Sequence, residues 1–272
     1  MRFFFTLLSV LALHSPHVHA QDSSSTNQVP WIAGDFRLFE VDELNQVYLL
    51  ENGGRLIQYN ATGDSLAIYN DIKRFGIPDR LDVSNPMRPL LFFPAYSTMV
   101  MLDRLLTYRA SLSFRKLQQT QTNLAINAYD GNFWIYDEQA FKLKKINAEG
   151  SVLTESADLR LMLQEAPKPS ALFESDQHLI MYDPAIGFLL FDFYGGFIKT
   201  WPYKNWKMVQ ANKKNGLSGI SEDGQWCNLP WNNPLPACEP VNWNSISLRT
   251  VRRIGNTYYI LNSQGLFRWQ IN

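Results

Sequence analysis

Histidine is scarce in this chain. Of four, His14, His17 and His19 fall within the first twenty residues, which leaves His178 alone in the remainder. Any chemistry that needs two imidazoles is excluded once that leader is gone. Cysteine is scarcer still: Cys227 and Cys238 are the only two, too few for a structural zinc centre with its four thiolate or imidazole ligands. The Gly-x-Ser-x-Gly elbow of serine hydrolases is missing, since Gly216-Leu-Ser-Gly219 is one residue short of it. Positive charge shows no excess, with 25 Lys and Arg against 25 Asp and Glu. That balance excludes the basic field that neutralises several phosphates, so no nucleic-acid partner is expected.

Apolar runs of the roughly 20 residues that a membrane span requires are absent as well. The nearest approach is Phe3 to Leu13, broken by Thr6 and Ser9, which follows Met1-Arg2 and precedes Val18-His19-Ala20. A basic start, a short apolar stretch and a small-residue cleavage site read as a secretory signal peptide over residues 1–20. The mature chain is then exported, periplasmic or extracellular, with no transmembrane segment. No Cys lies at the cleavage site, so no bacterial lipid anchor is expected. Residues 21–272 form one domain, since no Gly/Ser-rich linker divides them.

What the chain does have is a repeat. A short apolar strand, a turn and a second apolar strand ending in Asn or Asp occur at Val47 to Asn60, Phe133 to Asn147, Leu179 to Asp192 and Tyr258 to Asn272. The ends at Asn60, Asp103, Asn147 and Asp192 are spaced by 43, 44 and 45 residues, and a further 80 residues lead to Asn272. Two steps of forty imply a less obvious copy in that interval, hence six in all. Three ends continue as Asn60-Ala-Thr-Gly63, Asn147-Ala-Glu-Gly150 and Asp192-Phe-Tyr-Gly195. Asn and Asp bond the backbone two residues on and Gly accepts positive φ, so each is a turn into another strand, Ser65–Tyr69, Ser151–Glu155 and Phe197–Trp201. With opening strands at Arg37–Val41, Asn123–Ala128 and Leu248–Arg252, the unit has four strands, which is the blade of a β-propeller.

The last copy stops where its fourth strand should begin. Val29 to Ala33 has the length and apolar character to supply it, so the chain predicts a six-bladed β-propeller closed by an N-terminal strand that completes the last blade. Ser156 to Glu165 is the exception to the strand pattern. It predicts a short helix with Ser156 as its cap and Leu159, Met162 and Leu163 on one face.

The stretch Leu81-Asp-Val-Ser-Asn-Pro-Met-Arg-Pro-Leu-Leu-Phe-Phe-Pro-Ala-Tyr-Ser-Thr-Met-Val-Met-Leu-Asp103 resembles a family of exported, propeller-like proteins without assigned catalytic activity, found in bacteria that use type IX secretion. The resemblance implies export and an outer-membrane secretion apparatus or its cargo as partner. It brings no functional residues.

In an exported chain Cys227 and Cys238 predict a disulfide. The bond staples an insert near residues 225–240. Five of eight Trp (Trp201, Trp206, Trp226, Trp231, Trp243) fall between 201 and 243, beside Pro230, Pro234, Pro236 and Pro240. Trp206, Trp226, Trp231 and Trp243 are therefore the candidate binding surface, because stiff loops bearing aromatics lose little entropy on binding. Against this stands the simpler reading that the rings plug a gap in an irregular fifth blade. Asp137, Asp183 and Asp192 end strands, where turn chemistry accounts for them. His178 reads as a surface or capping residue, Lys213-Lys214 and Arg252-Arg253 as solvated faces, and Asn60-Ala-Thr62 as a turn that is formally a glycosylation acceptor.

No catalytic residue, metal ligand or cofactor is expected. The function this implies is a non-catalytic exported interaction scaffold that binds another cell-envelope protein. The alternatives are a propeller that binds a glycan or small ligand on exposed Trp and Tyr, and a metal-dependent lactonase or hydrolase of the propeller type.

Overall fold

The computed structural model describes residues 29–117, 121–175, 178–213, 215–233, 235–241 and 248–271. The leader assigned to residues 1–20 lies outside them, as does Trp243. The strands form six four-stranded antiparallel sheets. The chain enters with β1 (Ile32–Ala33) and then builds blade I from β2 (Phe36–Val41), β3 (Val47–Glu51), β4 (Leu56–Tyr59) and β5 (Ser65–Tyr69). Blade II is β6 (Arg80–Asp82), β7 (Leu90–Phe93), β8 (Thr98–Leu102) and β9 (Tyr108–Ser113). Blade III is β10 (Thr122–Asn127), β11 (Phe133–Asp137), β12 (Lys142–Ile146) and β13 (Val152–Glu155). Blade IV is β14 (Ala171–Ser175), β15 (His178–Asp183), β16 (Gly187–Phe191) and β17 (Phe197–Trp201). Blade V, the inconspicuous copy, is β18 (Lys207–Asn212), β19 (Gly216–Ile220), β20 (Trp226–Leu229) and β21 (Ala237–Glu239). Blade VI is β22 (Thr250–Ile254), β23 (Thr257–Leu261) and β24 (Gly265–Gln270), with β1 as its fourth strand.

The near-continuous apolar second strands follow from burial on both faces. Along β3, Val47 and Leu49 pack toward blade VI, whereas Tyr48 and Leu50 pack toward blade II. Along β11, Phe133 and Ile135 face blade II while Trp134 and Tyr136 face blade IV. Along β15, Leu179 and Met181 face blade III and Ile180 and Tyr182 face blade V. Side chains alternate with a period of two, so each strand feeds two cores. Six apolar clusters result, one at every junction of neighbouring blades, the V–VI and VI–I junctions included.

Polar residues at the strand ends hold the turns. Asn60 accepts from the backbone N–H of Thr62 and Asp64, Asp103 from Leu105 and Thr107, and Asp192 from Tyr194 and Gly196. Asp137 and Asp183 do the same for Gln139 and Ala185, which is the structural role the sequence assigns them. The Tyr before each of these two Asp ties the blade to the following connection. Tyr136 donates to the Pro167 carbonyl at 3.0 Å, and Tyr182 donates to the Trp206 carbonyl at 3.1 Å.

Closure is as the sequence predicts but shorter. Ile32 pairs with Leu266 and Ala33 with Gly265, while Trp31 lies just ahead of the strand. The junction is locked by the next blade: Gly63, at φ +96°, lets the Asn60 turn lie so close to Trp31 that a Cβ would sit 3.1 Å from its indole nitrogen. The predicted helix is α2 (Leu159–Leu163), following the short α1 (Ile72–Phe75). Its cap is Asp158, whose carboxylate accepts from the Arg160 N–H, and not Ser156. Ser156 instead donates to the Ala157 carbonyl and accepts from the Leu143 N–H. Leu159 alone is fully buried, and Met162 is exposed.

Cys227 and Cys238 are bonded across directly paired positions of β20 and β21. The buried Cys227 belongs to the core between blades IV and V. With a separation of 11 residues, replacing both Cys by Ala is expected to cost about 3 kcal/mol in urea unfolding. For the closing strand, Ile32→Ala should cost about 2–3 kcal/mol, the range of a truncated core aliphatic. Leu66→Ala, on an exposed outer-strand position, should stay within about 0.5 kcal/mol. Equal effects at Ile32 and Leu66 would show that the ring does not depend on its seam.

Candidate functional site

The innermost strands β2, β6, β10, β14, β18 and β22 enclose a central channel of about 380 Å³. Its charges are spent on neighbours. Arg37 pairs with Asp79 across the I–II junction, and Arg252 grips Glu40 through two hydrogen bonds, one at 2.8 Å, across the VI–I junction. Asp82 accepts from the Asn127 backbone N–H at 2.6 Å and from its side-chain amide at 3.0 Å, joining II to III. Gln210 exchanges two hydrogen bonds with the Arg253 backbone, joining V to VI. Arg80 differs, for its guanidinium reaches the Ser170 carbonyl ahead of blade IV at 3.1 Å, past the intervening blade. Enclosure by the wall lowers its pKa from the ordinary arginine value.

At the end where first strands turn into second strands, the channel opens into a mouth of about 250 Å³. Tyr129 from the β10–β11 loop and Phe193 from the β16–β17 turn meet there, ring centroids 4.8 Å apart. Beneath them Lys145 points its ammonium at Trp134, Tyr129 and Phe193, 5.0, 5.4 and 5.9 Å from their centroids, and pairs with Asp130 at 2.9 Å. Glu174, near the end of β14, accepts from the Tyr129 backbone N–H and from the Trp134 indole at 3.1 Å. Burial pushes its carboxyl above the ordinary glutamate value, and the two hydrogen bonds with nearby Lys145 offset only part of that. Next to it, Ser175 is 5% exposed and its hydroxyl has no hydrogen-bond partner. Glu43 of blade I and Lys213 of blade V form an ion pair at 3.0 Å on the rim.

The tryptophan-rich insert is elsewhere and turns inward. Trp226 and Trp206 are buried, which corrects the expectation that they face a partner. Trp206 packs edge-on to Phe188, and Trp226 packs edge-on to Tyr258 across the V–VI junction. Trp231 is half-buried, donates to the Asn212 and Lys213 carbonyls and lies 6.5 Å from Trp201 of blade IV. In blades I, III and IV a Gly-containing turn packs on the preceding blade, Gly63 on Trp31, Gly150 on Leu117 and Gly195 on Ser156. Blade V has no such turn between its third and fourth strands, and an indole fills the space. The basic pair is corrected too: Arg252 lines the channel with Glu40, and Arg253 bonds Glu239 rather than facing open solvent.

His178 opens β15 directly opposite Ser175. Among the described residues no base hydrogen-bonds the Ser175 hydroxyl. Among the described residues no group of three His, Cys, Asp or Glu is placed to hold a metal ion. The mouth residues escaped sequence reasoning because they come from separate loops, but one signal was legible. The turn Asp192-Phe-Tyr-Gly195 carries two aromatics where the equivalent turns carry Ala-Thr and Ala-Glu.

Glu174 gives the mouth a pH signature. Its folded-state value is the higher one, so between the ordinary 4.5 and that raised value the folded chain holds a proton that the unfolded chain has released. Its contribution is therefore most favourable below the ordinary value and is lost as pH rises through the window. Urea midpoints measured across that window should fall more steeply for the native chain than for Glu174→Gln. Parallel curves would remove Glu174 as the cause.

No protein-family model matches the chain, and no curated protein matches it. Solved structures do. A catalytically inactive virginiamycin B lyase from Staphylococcus aureus with quinupristin aligns at a TM-score of 0.59 and 11% identity, over 91% of this chain and 97% of that one. BamB from Moraxella catarrhalis aligns at 0.51 and 12%, over 86% and 82%. A protein from Bacteroides fragilis described as exported aligns at 0.54 and 7%, over 84% and 79%. At such identities the likeness is one of fold: the chain is a six-bladed β-propeller, and it aligns as a propeller with a lyase and with BamB alike.

Proposed function

We propose that this protein is an exported, non-catalytic interaction scaffold that binds another cell-envelope protein through its mouth face. The observation that carries the reading is a run of exposed apolar side chains across blades III and IV. Tyr129 is 71% and Tyr194 78% exposed, and Leu153 and Ile198 on the outer strands are exposed beside them. At the III–IV junction the aromatics are joined, since Tyr129 contacts Phe193 and the carbonyl of the next residue, Tyr194, accepts from Thr154 of β13. Large aromatics held on short, hydrogen-bonded turns make anchors that lose little freedom on binding. Contiguous exposed apolar surface on a folded chain marks interaction sites.

The exported setting rests on the leader, on the Cys227–Cys238 bond, which persists in oxidising compartments, and on the resemblance of Leu81 to Asp103 to exported propellers. That resemblance favours a partner in the outer-membrane type IX apparatus or its cargo. No helix among the described residues is long and apolar enough to cross a membrane. The paired-off channel charges and the idle Ser175 hydroxyl support a binding role over a hydrolytic one.

A photo-crosslinking residue at position 194, in the native host, should trap one envelope protein, and Tyr129→Glu should abolish the adduct. The same residue at position 73, on the exposed connection at the opposite end of the ring, should trap nothing specific. Equal labelling from both positions would defeat the assignment of the face.

A further inference from the structure

We infer that the channel mouth is a binding site for a neutral, hydroxylated ring, the terminal sugar of a glycan, seated on the Tyr129–Phe193 pair with its hydroxyls directed to Glu174 and Ser175. This goes beyond the protein-partner reading and does not depend on it.

Three observations select that chemistry. The cavity, about 250 Å³, falls short of the roughly 300–1,000 Å³ of sites for drug-sized ligands, which suits one pyranose rather than a larger molecule. The aromatic pair offers an apolar platform of which Tyr129 is largely solvent-facing, and flat rings with polar edges match the apolar face of a sugar. Ser175 lines the cavity, and its hydroxyl is buried just behind that surface with no hydrogen-bond partner among the described residues. A folded chain normally satisfies such a group, so a ligand hydroxyl that it meets by rotating about χ1 is its natural counterpart.

Charge excludes the competitors. A cationic ligand on Tyr129 and Phe193 would be repelled by the Lys145 ammonium, which lies 5.4 and 5.9 Å from their centroids on the inner side of the pair. An anionic ligand would meet Glu174 and Glu43, whose lone cationic neighbour on the lining, Lys213, is already paired. A neutral donor-rich ligand meets acceptors without repulsion: each Glu174 oxygen accepts one protein hydrogen bond and retains capacity for another.

The test is a glycan array probed with the mature chain, followed by calorimetric titration of the best neutral glycan into the native protein, Tyr129→Ala and Ser175→Ala. Neutral glycans should be retained. Tyr129→Ala should weaken binding about tenfold with an unchanged thermal midpoint, since the side chain is exposed. Ser175→Ala should weaken binding several-fold while leaving the ligand-free thermal midpoint unchanged or higher, because it deletes an unsatisfied buried group. An empty array, retention of charged glycans only, or affinity undiminished in both variants would each overturn the inference. Crosslinking from position 194 in the Ser175→Ala chain reads the protein partner separately, so the failure of either reading is visible without the other.

Discussion

Each sheet of this protein has two apolar faces, and no sheet can bury both alone. That constraint dictates the rest. A strand such as β11, with Phe133 and Ile135 on one side and Trp134 and Tyr136 on the other, commits its blade to a neighbour in each direction. A row of such blades ends only by returning to its start. The seam is made with two paired positions, Ile32 with Leu266 and Ala33 with Gly265, yet the core beside it is as dry as the others, with Val47, Leu49, Leu261 and Leu266 inaccessible to solvent. Closure thus comes from side chains, and the backbone pairing of β1 sets its register.

The architecture was legible because burial on both faces imposes an apolar strand every forty-odd residues and turn chemistry marks where it ends. Val47–Glu51, Phe133–Asp137, Thr98–Leu102 and Phe197–Trp201 occupy the ranges read from the sequence. Where the chain leaves the repeat, composition misleads. The density of Trp after residue 201 looks like a binding surface, but composition carries no direction: Trp206 and Trp226 point into junctions, and Trp231 does the packing that a glycine turn does elsewhere. The mouth was invisible for the opposite reason. Tyr129, Glu174 and Phe193 are ordinary residues singly, and only the ring brings them together.

Polar links accompany the apolar junctions around the channel, from Arg37–Asp79 through Asp82–Asn127 and Gln210–Arg253 to Arg252–Glu40. Each ties a charge or amide of one blade to its neighbour. The III–IV junction is linked through Glu174, whose burial raises its carboxyl, and beside it the Ser175 hydroxyl has no hydrogen-bond partner among the described residues. Fold alone does not decide a function.

Arg80 and Ser170 stand at the starts of β6 and β14, the end of the channel remote from Tyr129 and Phe193. Their hydrogen bond runs as a chord between blades that do not touch in sequence order around the ring. It lays a charged side chain across the ring at its far end, bracing blades II and IV over the intervening sheet.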